Sequence, residues 1–96
     1  MPTYLRVRWL HDHAAEPVLL LSELDDDRWE VRKIEVFRDG TQGYASASEG
    51  DGRSLLGKLP VPSLEEIGAD PEFEPVSINA SEFEAAWANR AGKFAS

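Results

Sequence analysis

The chain has 96 residues, a formal net charge of −8 and no cysteine. That length makes one domain, residues 1–96, around a modest core. The missing cysteines exclude a disulfide framework, a thiolate nucleophile and Cys-ligated zinc or iron–sulfur centres, and they fit a reducing cytoplasm.

In chain order, "TYLRVRWLH" alternates, with Leu5, Val7 and Trp9 on one side and Arg6 and Arg8 on the other, the period of a half-buried strand. "HDHAAE" reads as a polar loop, and Pro17 suits a strand start. "PVLLLSELD" is the second strand. Its apolar residues do not alternate, which fits cover on both faces. Its "PVLLL" is the longest clearly apolar run, far short of the ~20 residues of a membrane-spanning helix. The N-terminus lacks the layout of a signal peptide.

"DRWEVRKIEVFRDG" is the third strand. Trp29 and Val31 share one parity and Ile34 and Val36 the other, so a bulge near Arg32-Lys33 is expected to turn all four toward the core. Asp39-Gly40 signals a type I′ hairpin, and "QGYASAS" is the short returning strand. "EGDGRS" is a glycine-rich turn. "LLGKLPVP" reads as a further short strand or an extended segment.

Ser63 and Glu66 form a capping box, so "SLEEIGA" is a short helix that ends at Gly68 before Asp70-Pro71. "EFEPVSIN" is expected as an extended linker. Ser81 and Glu84 suggest a second capping box, followed by a helix with Phe83 and Trp87 on one face and a stop at Gly92. The fold class is α+β: an antiparallel meander of about three to five strands, with a short helix and a C-terminal helix packed on one face. Trp9, Trp29 and Trp87 are expected in one core cluster.

The residues that invite a chemical reading are few. His11-x-His13 is a weak metal candidate, because two histidines fall short of a full ligand shell and no third ligand is evident. Asp25-Asp26-Asp27 lacks the spacing of a calcium loop, and consecutive aspartates on a tight turn splay apart, so a solvated turn is expected. Glu23, Glu30 and Glu35 lie on strands near Arg6, Arg28 and Arg32, where cross-strand ion pairs on a solvent face account for them better than a catalytic pair. No serine nucleophile elbow or phosphate loop is present. Arg6, Arg8 and Arg32, with Tyr4 and Trp29, also resemble a basic–aromatic platform for single-stranded nucleic acid. The interleaved acids and the negative net charge oppose that reading.

"VRWLHD", "EPVLLLSELDDDRWEVRKIEVFRDG", "PVPSLEEI", "DPEFEP" and "EFEAAWA" together resemble a family of small bacterial proteins classed as a domain of unknown function. The likeness runs from about Tyr4 to Arg90. It implies a stand-alone intracellular domain and transfers no catalytic residue, cofactor or ligand.

The expectation is therefore a cytoplasmic, non-catalytic, acidic protein-binding module without a cofactor. Its interaction candidates are Asp25, Asp26, Asp27, Arg6, Arg8 and Arg32, and its expected partner is a protein of basic charge, such as a toxin that it neutralises. A homodimer is a companion expectation. The alternatives are a small-ligand or metal-binding protein using His11 and His13, and a single-strand binder on the Arg6/Arg8 face.

Overall fold

A computed structural model describes residues 2–92. Five strands, β1 (Thr3–Trp9), β2 (Leu19–Leu24), β3 (Glu30–Val36), β4 (Gln42–Ser46) and β5 (Phe73–Ile78), form one antiparallel sheet in the order β4-β3-β2-β1-β5. Two helices, α1 (Leu64–Gly68) and α2 (Ala80–Ala88), complete the α+β architecture. Among the described residues no helix is long and apolar enough to cross a membrane.

"EFEPVSIN" is not a linker. It is β5, hydrogen-bonded to β1 from Tyr4↔Ile78 to Trp9↔Phe73, and its Pro75 and charged residues disguise it, as suits an edge strand. "LLGKLPVP" forms no strand. It belongs to an irregular strap over residues 50–62 that crosses one face of the sheet.

The register assigns the faces. Tyr4, Arg6, Leu21, Glu23, Arg32, Ile34 and Tyr44 share one face, and Leu5, Val7, Ser22, Lys33, Glu35 and Ala45 share the other. On the first, α2 drives the fully buried Phe83 into Leu21, Ile34 and Val36, with Tyr4, Tyr44 and Trp87 packed around it. On the second, the strap covers β3 and α1 covers β5: Gly68 sits over the Pro75 ring. The two helices thus lie on opposite faces rather than one. The cause is β5, which carries the chain across the sheet edge between them.

The helix starts follow local chemistry. Ser63 caps α1 by accepting from the Glu66 N–H at 3.2 Å, as its capping box predicts. At α2 the cap is Asn79, accepting from the Glu82 N–H at 2.8 Å, two residues ahead of the expected Ser81. The helix ends at Ala88, where Gln42 Nε2 donates to the carbonyls of Asn89 (2.9 Å) and Gly92 (2.8 Å).

β3 does carry a bulge, one residue earlier than expected: Glu23 pairs with Arg32 and Leu24 with Glu30, so Val31 is skipped. This leaves Trp29 and Val31 outside, 41% and 39% exposed, and turns Glu30 inward opposite the fully buried Leu24. β4 ends at Ser46, opposite Arg32, so on that side the described ladder with β3 goes no further. The three tryptophans accordingly stand apart, with Trp87 in the α2 core and Trp9 stacked on Phe73 at 5.8 Å.

The Asp39-Gly40 turn reverses the chain as expected but by another geometry. Only Gly40 has positive φ, +88°, and the Thr41 N–H bonds to Asp39 Oδ1 at 2.9 Å, a one-residue-longer loop than type I′. Gly43 on β4 answers to the strap. A Cβ there would stand 2.6 Å from Ser54 Oγ, the buried residue that starts the crossing. Gly43→Ala is expected to lower stability by about 1–3 kcal/mol through overpacking, measured by urea unfolding.

Candidate functional site

The strap has little regular structure, so its backbone needs partners from elsewhere. They come from β3. Ser54 Oγ donates to Glu35 Oε1 at 2.5 Å, Lys33 Nζ to the Leu55 carbonyl at 2.9 Å, and the Gly57 N–H to Glu30 Oε1 at 2.5 Å. Glu30 and Lys33 also pair with each other at 3.2 Å, both largely buried; the bulge brings these two residues to the same face. Beyond the strand, Arg28 Nε donates to the Val61 carbonyl (2.7 Å) and its Nη2 to that of Pro62 (2.6 Å), and the Val61 N–H returns to the Arg28 carbonyl at 2.8 Å. Successive strap residues are thus fastened in order along β3, running the opposite way.

Arg28 is the single non-glycine residue with positive φ, +67°, among the described residues. It closes the hairpin that Asp25 opens. The Arg28 N–H donates to the Asp25 carbonyl (2.9 Å), and Asp25 Oδ1 accepts from the N–H groups of Asp27 (3.0 Å) and Trp29 (2.9 Å). The aspartate run is therefore a turn braced by its first member, with all three residues exposed. Its strained closing residue is the one whose guanidinium grips the strap.

This corner and the strap are joined through Arg28. Leu55 and Leu59 stand in solvent, 78% and 77% exposed, although the backbone between them is pinned at Gly57. Trp29, just before β3, and Val31 at its bulge are also exposed, and so are Asp25, Asp26 and Asp27 in the turn that precedes Arg28, the residue bonded to the strap at Val61 and Pro62. Pattern reading missed both leucines because "LLGKLPVP" has the composition of a buried segment.

Arg32 serves the opposite face. Its guanidinium bonds Glu23 on β2 at 2.5 Å and Glu84 on α2 at 2.6 Å, and lies 4.9 Å from the Phe83 ring centre and 5.1 Å from that of Trp87. The hydrogen bond from Arg32 holds the Glu84 carboxyl below its usual range, and the same bond raises Arg32. Burial, with the neighbouring Glu23, raises the Tyr4 phenol. Arg6 lies near Glu82 of α2 at 3.6 Å. Of the sequence candidates, then, Arg32 is occupied in holding the helix while Arg6 stays exposed beside it, and the face proposed as an open platform carries α2 instead. The three strand carboxylates cannot converge, because Glu23 faces α2 while Glu30 and Glu35 face the strap.

Arg8 lies past the helix, in an open cleft of about 620 Å³ shared with Trp9, His11 and Arg38. The ring of His11 is taken up by its own loop: Nε2 meets the Pro17 carbonyl at 2.7 Å and Nδ1 accepts from the His13 N–H at 2.9 Å. His13 stacks on it at 5.3 Å. A metal at His11 would have to displace both bonds, and among the described residues no group of three or more His, Asp or Glu side chains gathers to hold an ion.

The sequence matches a family model described as a domain of unknown function (DUF6881) over residues 3–92. The chain belongs to that family. No curated protein and no solved structure matches it.

The Glu84 pairing gives a pH dependence with a definite sign. A carboxyl depressed in the folded state contributes stability that is complete above the unfolded value, about 4.3 for Glu, and is lost as pH falls through the folded one. The Glu84 carboxyl, followed by NMR, is expected to titrate at lower pH in the native protein than in Arg32→Met, with the α2 resonances responding in step.

Proposed function

We propose that this domain is a non-catalytic protein-binding module of the cytoplasm, and that it meets its partner with the strap and the acidic corner. The observation that carries the reading is the exposure of Leu55 and Leu59 on a backbone fastened at Lys33, Glu30 and Arg28. Exposed apolar side chains on a pre-ordered segment favour association, because burying each leucine is worth about 1.5–3 kcal/mol and little ordering entropy remains to be lost.

The carboxylates of the hairpin turn give the partner its sign. Asp25, Asp26 and Asp27 at the hairpin, in a chain of net charge −8, complement a surface that is apolar at its centre and basic at its rim. Toxin neutralisation is the most concrete form of this reading. It rests on small size, acidic charge and a sequence without catalytic motifs. A homodimer through a sheet edge draws less support, since Pro75 removes a donor from β5 and Gly50 bridges back to Ala45 beside β4.

The test is site-specific photocrosslinking in the cells that make the protein. A crosslinker at position 55 or 59 is expected to capture the same protein as one at position 26, and one at position 14, in the His11–His13 loop, is expected to capture none of it. Leu55→Asp combined with Leu59→Asp should weaken affinity for that partner by at least about a hundredfold, leaving the unfolding midpoint unchanged. Equal capture from positions 14 and 55 contradicts the proposal.

A further inference from the structure

The open cleft past α2, about 620 Å³ in volume, has the size of a small-molecule site. It contains a row of residues on the α2 face, since Arg8 on β1 pairs with Leu19 on β2, and Leu19 with Val36 on β3. Val36 is buried at its base. Leu10, two residues beyond Arg8, also lines it and is 44% exposed.

The charge of this lining opposes that of the chain. Arg8 and Arg38 line the cleft and, among the described residues, no aspartate or glutamate does, although the net charge is −8. Arg38 is held in place by donation from Nη2 to the His11 carbonyl at 2.7 Å, a bond that leaves its charge unneutralised. His11 offers a ligand nothing, because both ring nitrogens are already bonded within its loop.

Arg8 supplies the second observation. On the same face Arg32 pairs with Glu84 at 2.6 Å, and Arg6 approaches Glu82 at 3.6 Å. Arg8, the next arginine along β1, makes no hydrogen bond or ion pair with a described residue, and Glu74, opposite it on β5, is not paired with it. A guanidinium carries five donors and no acceptor, so an unmatched one beside an apolar surface is the complement of an oxyanion with an apolar body.

The backbone selects the kind of oxyanion. Phosphate sites ordinarily recruit main-chain amides at a helix start or a nest. Here the amides of Trp9, Leu10, Val18, Phe37 and Gly40, all residues of the lining, already donate to backbone carbonyls. The guanidinium forks remain, and they match the two oxygens of a carboxylate.

We infer that this cleft binds a small apolar carboxylate, its charged end at Arg8 and Arg38 and its hydrocarbon body over Leu10, Leu19 and Val36. The site is independent of the exposed leucines of the strap, which crosses the opposite face.

Hydrocinnamate serves as the probe. Phenylpropylamine carries a cation on a closely similar body, and acetate lacks the body. The negative chain attracts the amine nonspecifically, so a preference for the carboxylate reads the cleft itself. In amide-correlation NMR titrations, hydrocinnamate is expected to shift Leu10, Leu19 and Arg38 saturably and to bind at least about tenfold more tightly than the amine or acetate. Arg8→Gln should weaken hydrocinnamate at least about fivefold and leave the unfolding midpoint unchanged, because Arg8 fastens nothing in the fold. Adding Arg38→Gln should abolish the preference for anion over cation, and Leu10→Ala should weaken hydrocinnamate but not acetate. Absence of saturable shifts with hydrocinnamate, equal or tighter binding of the amine, shifts confined to the strap, or unchanged affinity in folded Arg8→Gln overturns the inference.

Discussion

The structure depends on one arrangement: the strap face of β3 carries hydrogen-bonding side chains where a sheet ordinarily buries apolar ones. Glu35, Lys33 and Glu30 stand in that row, and each fastens a different point of residues 54–57. An irregular segment laid across a sheet would otherwise leave its amides and carbonyls without partners. Half-burying Glu30 and Lys33 is costly, and their mutual ion pair with the backbone bonds offsets that cost. The bulge at Val31 makes the pair possible, since without it Glu30 and Lys33 would project from opposite faces.

The other face is governed by the same hairpin. Arg32, between Glu30 and Lys33 in that stretch, points the opposite way and holds α2 through Glu84 while stacking on Phe83 and Trp87. Glu23, across the strand pair, fixes the guanidinium from below. A single twelve-residue stretch, Ser22–Lys33, therefore contains the anchor for the helix, two anchors for the strap, the arginine that completes the strap's attachment and the acidic turn. Charge in this protein is less a solvated coat than the means by which both covers are positioned, and the display of Leu55 and Leu59 follows from it.

Much of this was legible in the sequence. Alternation identified β1, the Ser63/Glu66 spacing identified α1, and turn chemistry correctly placed the chain reversals at Asp25–Asp27 and Asp39-Gly40. The errors share a physical origin. Arg32 read as solvent-facing because periodicity cannot tell a water-covered face from one covered by a helix whose glutamate meets the arginine, whereas Arg6 on the same face does stay exposed. Trp29 and Val31 read as core because hydrophobicity outweighed a one-residue shift in the bulge, and that shift gave the inner position to Glu30. β5 read as a linker because Pro75 and Glu74 mask an edge strand, and the missed strand put both helices on one face in the expectation. The strap's course was not readable at all, since it depends on side-chain to backbone bonds between residues some twenty to thirty positions apart.

Native-state hydrogen exchange tests the central claim most directly, because it reads the strap amides one by one. If β3 fastens the strap, the Gly57 and Val61 amides are protected in the native protein although they lie outside any strand or helix. In Glu30→Ala, Gly57 then loses that protection while the Phe83 amide of α2 keeps its own. Exchange of Gly57 and Val61 at the rate of an unstructured peptide in the unaltered protein would contradict the account, and with it the pre-ordered surface on which the binding role rests.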